Sequence, residues 1–358
     1  MLKKKLFLLS LVIGSTSSYA ATSTTTTDDT QRVTLPHSTP GLEVSISALW
    51  LKPGASNLNY TILNKELPAQ SPTWYERELR PSYDSALELG VRYVFSTLTD
   101  KDIHFSWTHL NSNTSDSVTT PNSQYFIGPD FQIGPDSIPI RHASGSVNFK
   151  YDVINLDLGQ LINFGEHVEM RLFAGLSNAY LRENVTSTYS GNTTSPFAGP
   201  FSMMQNIMSN FTGIGPRFGV SGNYNMDSGF GFMAEGAVSA LIGGLSTKTN
   251  YTSSGQELLD IYNQAVNYQK IQDQTVYQVI PGTDAKLGIN YKYLIKHKAL
   301  FTVTAGYQAA VYMNAISQYI PASLVQPLQS GGIFVGTMSH TLSNYSVQGP
   351  FLNFSLQF

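Results

Sequence analysis

The feature that most constrains this chain is an alternation of apolar and polar residues with a period of two. It is held over segments of about ten residues and repeats along most of the length. Period two puts successive side chains on opposite faces of a β-strand, and about ten residues is the length of a strand tilted across a bilayer. The clearest segment is 86–95. Leu87, Leu89, Val91, Tyr93 and Phe95 share one face, and Ala86, Glu88, Gly90, Arg92 and Val94 share the other. A soluble sandwich buries its apolar face and wets its polar one. A transmembrane barrel does the reverse, with apolar side chains toward lipid and polar ones toward the lumen.

The same alternation runs through 42–51, 102–110, 168–177, 229–243, 285–293 and 301–311. In 147–162 it slips phase near Val153-Ile154, which reads as a bulge. It is glycine-rich around Arg217 in 212–226, and in 344–358 it is clean only toward the C-terminus. Short connections at 97–101, 163–167, 225–229 and 295–298 alternate with long ones at 52–82, 111–146, 185–210, 244–282 and 314–343. Short turns at one end and long loops at the other are the topology of outer-membrane barrels. The expected fold is all-β: a transmembrane antiparallel up-and-down barrel of about ten strands, with short periplasmic turns and long extracellular loops. Extra strands at 58–63 and 333–338 would raise the number to about twelve. Leu258, Ile261, Tyr262, Ala265 and Tyr268 have helical spacing, so 257–271 reads as a short helix packed in one of those loops.

Composition excludes competing classes. Charged residues make up 13% of the 358-residue chain, against roughly 25% in an ordinary soluble domain. Mean hydropathy is nevertheless −0.11. Apart from the start, there is no run of the roughly 18 apolar residues that a spanning helix needs. Helical membrane proteins and disordered chains fit poorly. Nucleic-acid binding does too, because the net charge is −3 and no basic stripe stands out. The N-terminus reads as a secretory signal peptide: Lys3, Lys4 and Lys5, then the apolar Leu6–Ile13, then Ser18-Tyr19-Ala20 with cleavage after Ala20. The expected organisation is a signal peptide over 1–20, a polar flexible leader over 21–41 and a barrel over 42–358. An exported chain without cysteine does not depend on disulfides.

Alternation also assigns faces. The charged residues expected to line the lumen are Glu88, Arg92, Lys150, Asp152, Asp157, Glu169, Arg171, Arg217, Glu235, Lys286 and Lys292. Tyr93, Phe95, Phe105, Phe230, Phe232, Tyr291, Tyr293, Phe301 and Phe358 are expected to face out near the short-turn ends. That is where an interfacial aromatic girdle belongs. Trp50, Tyr180 and Tyr345 are candidates for a second girdle near the loops. Phe354, Leu356 and Phe358 close a terminal strand that resembles the signal read by the barrel assembly machinery. The histidines form no HxH or HExxH pattern, and the Gly213–Gly219 run lacks the Gly-Lys-Ser/Thr of a phosphate loop. No catalytic residue, metal site or cofactor is expected; the run's glycines are expected to relieve crowding inside the barrel.

Several stretches resemble the Legionella-type major outer membrane protein family, in its order: Ser47–Pro53, Leu87–Tyr93, Asp102–His109, Asp152–Gln160, Gly213–Gly219, Gly229–Phe232, Ala285–Gly288 and Val347–Phe351. The resemblance implies a bacterial outer-membrane barrel with porin-like, cation-preferring diffusion of small ions and solutes, and no enzyme activity. The alternative is a closed barrel acting as a surface adhesin or structural envelope protein through its loops. Ten strands make a narrow interior, and acid–base pairs such as Glu88 with Arg92 or Glu169 with Arg171 could fill it. Expected partners are outer-membrane lipid and lipopolysaccharide, the assembly machinery, and a further copy of the chain without disulfide linkage.

Overall fold

The computed structural model describes residues 40–65, 73–95, 100–120, 125–130, 140–165, 167–193, 199–226, 228–254, 268–272, 275–295, 299–325 and 334–358. The expected signal peptide, nearly all of the leader, and parts of every short turn lie outside these residues.

Ten antiparallel strands close into a ring: β1 (Gly41–Gly54), β4 (Asp84–Val94), β5 (Lys101–Thr119), β7 (Ile140–Phe164), β8 (Val168–Thr193), β9 (Gly199–Asn225), β10 (Phe230–Ser254), β12 (Val276–Ile295), β13 (Ala299–Val325) and β14 (Phe334–Gln357). Sequential neighbours pair and β14 pairs with β1, so the ring is closed through the half that carries the apolar band. Closure matters because an unpaired edge exposes a row of backbone donors and acceptors, which lipid cannot satisfy. Every strand expected from the alternation is a strand of this ring.

The strands run much further than the alternation suggested. β8 has 26 residues and β9 and β13 have 27, where about 9–11 cross a bilayer. At ~3.4 Å per residue, 27 residues span roughly 90 Å. Much of the sequence expected as long connections is therefore wall: 111–119, 140–146, 185–193, 199–210, 244–254, 276–282, 314–325 and 334–343. The reason is a change of solvent along the strand. On β8 the outer face reads Val168, Met170, Leu172, Ala174, Leu176, and then turns polar at Asn178, Arg182, Asn184 and Thr186. The inner face does the opposite. Glu169 and Arg171 give way to Ala179, Leu181, Val185 and Tyr189, all but the first two buried to within a few per cent.

This inversion also explains the apparent phase slip. β7 pairs with β8 without a register shift from His142 to Phe164, and with β5 without any shift, so there is no bulge at Val153-Ile154. A true irregularity lies instead in β13 between Tyr312 and Ile316, where Asn314 takes φ 57°.

Three further strands, β2 (Asn59–Lys65), β3 (Thr73–Glu78) and β6 (Phe126–Pro129), form a separate small sheet in the order β3-β2-β6. The extra strand expected at 58–63 is thus present but outside the ring, and 334–338 belongs to β14. Of the expected helix at 257–271, the described part is the strand β11 (Tyr268–Gln272), paired with β10 over Lys248–Thr252; the rest lies outside the described residues. β12 leaves β10 at Leu245, and β11 takes over the edge that would otherwise be bare.

Candidate functional site: the inner wall of the barrel

Inner positions of β4, β5, β8, β9 and β12 project charge into the half of the ring nearer the short turns. Several of the ion pairs there join strands that are not neighbours, and these reach across the interior. Lys286 on β12 donates to both oxygens of Glu88 on β4, at 2.7 and 2.8 Å, and Thr108 adds a third donor at 3.0 Å. Arg171 on β8 holds Asp102 on β5 through Nε at 2.8 Å and Nη2 at 2.6 Å, and Arg92 donates to the same carboxylate at 3.0 Å. Asp102 is 1% exposed, so the two guanidinium groups replace the water it has lost. Arg217 bridges Asp157 on β7 and Asp284 on β12, with Glu235 3.5 Å away.

Phe173 lies between the two arginines, its ring centre 4.8 Å from each guanidinium carbon. Opposite it sits Gly219, where an added Cβ would collide with that ring. Here a glycine of the Gly213–Gly219 run does relieve interior crowding.

Of the charged residues expected in the lumen, Glu88, Arg92, Asp157, Glu169, Arg171, Arg217, Glu235, Lys286 and Lys292 take inner positions. The expected partner of Arg92 was Glu88. The structure instead gives Arg92 to Asp102 and Glu43, and Glu88 to Lys286. Lys150 and Asp152 are corrections. They share a face with exposed Ile154 and Leu156, while Phe149 and Tyr151 point inward. Polar meant inner only within the apolar band; these two lie beyond it, where the outer face meets water. Asp152 there accepts from His109 Nδ1 at 2.6 Å.

Sequence reasoning missed Asp102 and Asp284, each at the margin of an expected strand. Parity alone places Asp102, the first residue of its expected strand, inside, and extending the 285–293 alternation by one residue does the same for Asp284. It also left out Glu43, although the parity of β1 puts it inside.

Beyond the charged tier, the interior becomes apolar. Leu49, Leu51, Leu110, Phe149, Tyr151, Leu181, Phe211, Leu241, Ile280, Tyr312, Tyr345 and Val347 form one buried layer reaching inward from strands around the ring. Tyr345 is a correction to the second girdle: it is fully buried, stacked on Tyr151 at 6.2 Å, with its hydroxyl reaching the Lys150 carbonyl across the ring at 3.0 Å. Tyr151 and Tyr312 meet through their hydroxyls at 3.3 Å. Trp50 and Tyr180 face outward.

The small sheet continues this filling toward the far mouth. Leu58, Tyr60, Leu79 and Ile127 are buried in the same core. Tyr60 packs where Gly145 lacks a side chain and donates to Asp116 at 2.9 Å; its carbonyl accepts from Tyr189. Asn57 donates to Glu183 at 2.8 Å. Glu183 is 1% exposed, and burial pushes its carboxyl up to about 7.

The expected girdle residues point outward near the short-turn end, where several touch in pairs: Tyr93 with Phe95, Phe230 with Tyr291 and Phe301 with Phe354, at 5.4, 4.8 and 6.4 Å. Among the described residues, no group of three His, Cys, Asp or Glu side chains is disposed to hold a metal ion.

A closed ring with apolar residues outside and paired charges inside defines the class: a bacterial outer-membrane β-barrel. The chain belongs to the family described as the Legionella pneumophila major outer membrane protein precursor, which matches residues 34–358. No curated protein matches it in sequence. Similar solved structures include the outer membrane protease OmpT from Escherichia coli, at 10% identity over 91% of this chain and 100% of that one, TM-score 0.41. The Pseudomonas putida toluene transporter TodX aligns at 7% identity over 89% and 90%, TM-score 0.27. A Pseudomonas aeruginosa FadL homologue aligns at 6% over 89% and 90%, TM-score 0.25.

Proposed function

We propose that this barrel is closed in its resting state and serves as a structural and display protein of the envelope, working through its outer half rather than through an open bore. The observation that supports this is the apolar layer across the ring. Phe149, Phe211, Leu110, Leu241 and Tyr345 are each 0% exposed. A continuous aqueous path would return such side chains to water at about 1.5–3 kcal/mol each. The small sheet adds a second closure above them. In this reading the outward aromatics at the short-turn end form the periplasmic girdle, and the terminal strand ending in Phe354, Leu356 and Phe358 is the assembly signal.

A cation-preferring diffusion channel is the second reading, and a specific observation favours it. In the membrane half Glu43, Glu88, Asp102, Asp157, Glu169, Glu235 and Asp284 outnumber Arg92, Arg171, Arg217, Lys286 and Lys292. The side chains of Glu43, Glu235 and Asp284 are 27%, 25% and 26% exposed. Carboxylates lining an aqueous chamber stabilise cations crossing a low-dielectric slab. Conduction then requires the apolar layer to move aside.

A planar-bilayer recording separates the two. Silence of the wild type at verified insertion, with steps appearing in a Phe149→Ala/Tyr151→Ala/Tyr345→Ala variant, supports the closed barrel. Stepwise conductance of the wild type overturns it, and a reversal potential toward the cation in a salt gradient then supports the channel.

A further inference from the structure

We propose that the outer face of the wall, just beyond the apolar band, carries a binding site for the phosphorylated headgroup of lipopolysaccharide, centred on Lys150 and Arg182. The inference rests on the outer-membrane location and is independent of whether the barrel conducts.

Lys150 on β7 and Arg182 on β8 are direct cross-strand partners on the same outer face. Like charges directly opposite each other destabilise a sheet unless an anion lies between them. Among the described residues neither makes an ion pair, and the Arg182 Nε is buried without a hydrogen-bond partner. The nearest outer-face carboxylate along β7, Asp152, is already engaged by His109. Asn111 and Asn210 flank the two cations in register, so the row reads amide, cation, cation, amide across four adjacent strands. That is a donor-rich strip whose two cations have no ion-pair partner among the described residues. A guanidinium fork matches phosphate oxygens in pairs, and the ammonium beside it adds a point charge.

The position selects a lipid over a soluble anion. On β7 the outward apolar run ends at Ile154, four residues before Lys150. Four residues cover about 13 Å along a strand. With the tilt usual for such barrels, that is a rise of roughly 10 Å. The cations therefore stand at headgroup height, directly above the surface that acyl chains cover, and long basic side chains reach back toward the interface. The outer leaflet of this membrane carries its phosphates on the lipopolysaccharide headgroup.

The test is a titration of the folded, full-length barrel in neutral detergent with lipid A bisphosphate, read by tryptophan fluorescence. The arms are dephosphorylated lipid A, phosphatidylglycerol vesicles and inorganic phosphate. The expected result is at least tenfold weaker lipid A binding by Lys150→Gln/Arg182→Gln, with dephosphorylated lipid A equally weak on wild type and an Asn184→Gln control unchanged. Retained heat-modifiable migration verifies folding. If the double variant does not fold, Arg182→Lys is read instead; it keeps the charge, loses the fork and is expected to bind severalfold more weakly. Three results overturn the proposal: lipid A binding that is indifferent to these substitutions or to dephosphorylation, equal affinity for phosphatidylglycerol vesicles, or full competition by equimolar inorganic phosphate.

Discussion

The same strands build two different proteins at their two ends. In the membrane half, β8 shows Leu172 and Leu176 to the outside and Arg171 to the inside, 7% exposed and locked on Asp102. In the outer half, it shows Arg182 and Asn184 to the outside and buries Leu181, Val185 and Tyr189. The backbone geometry does not change between them; the medium outside the wall does. Where that medium is lipid, burying an apolar side chain in the interior gains nothing over leaving it outside, and the interior can be given to paired charges. Where the medium is water, the hydrophobic effect drives apolar side chains inward as in any soluble core. The lower half is therefore held by directional ion pairs and the upper half by packing.

The sharpest way to break this comparison is to remove a charge from the lower half. Arg217→Ala leaves Asp157 and Asp284 without their shared cation and should cost about 3–5 kcal/mol, measured by urea-dependent unfolding in detergent. Phe149→Ala in the upper half should cost about 3–4 kcal/mol by cavity formation. It should leave the short-turn end protected from hydrogen exchange, because the lower pairs are untouched. A matched outer-face pair tests the inversion itself. Leu172→Arg faces lipid and should cost about 2–4 kcal/mol, whereas Asn184→Arg faces water and should stay within about 0.5 kcal/mol. Equal costs would mean that the apolar band extends further up the wall.

The smallest effect is the pH dependence of the upper core. Glu183 has its pKa raised from 4.5 to about 7 in the folded state. The native chain therefore keeps a proton that the unfolded chain has lost, and stability falls as pH rises through that window. Wild type should melt a few degrees higher at pH 5 than at pH 8, by roughly 2–4 °C, and Glu183→Gln should flatten that slope. An unchanged slope would assign the dependence to other groups.

Much of this was legible in the residues. Alternation found every strand of the ring, placed Glu88, Arg171, Arg217 and Lys286 inside, and turned Phe230, Tyr291 and Phe301 outward. It failed at Lys150 and Asp152, because it tied polar to inner along the whole strand. The same rule made 185–210 look like a loop: beyond the band Val185, Phe201 and Ile207 are inner rather than outer, and the expected pattern stops. Which acid meets which base was also illegible. Local spacing offered Glu88 to Arg92, but the ring brings Lys286 to Glu88 from 198 positions away, and no local pattern records that separation.

The sequence by itself determined the class of fold. A period of two, sustained with little charge and without a helical span, has few other solutions in a membrane, because closure is how strands satisfy their backbone in lipid. Only the tertiary structure decided what fills the barrel. Closing the ring sets which inner side chains face each other across it, and the change from lipid to water along the wall reverses what each face must carry. Those two effects turned an expected lumen into a tier of crossed ion pairs beneath an apolar layer.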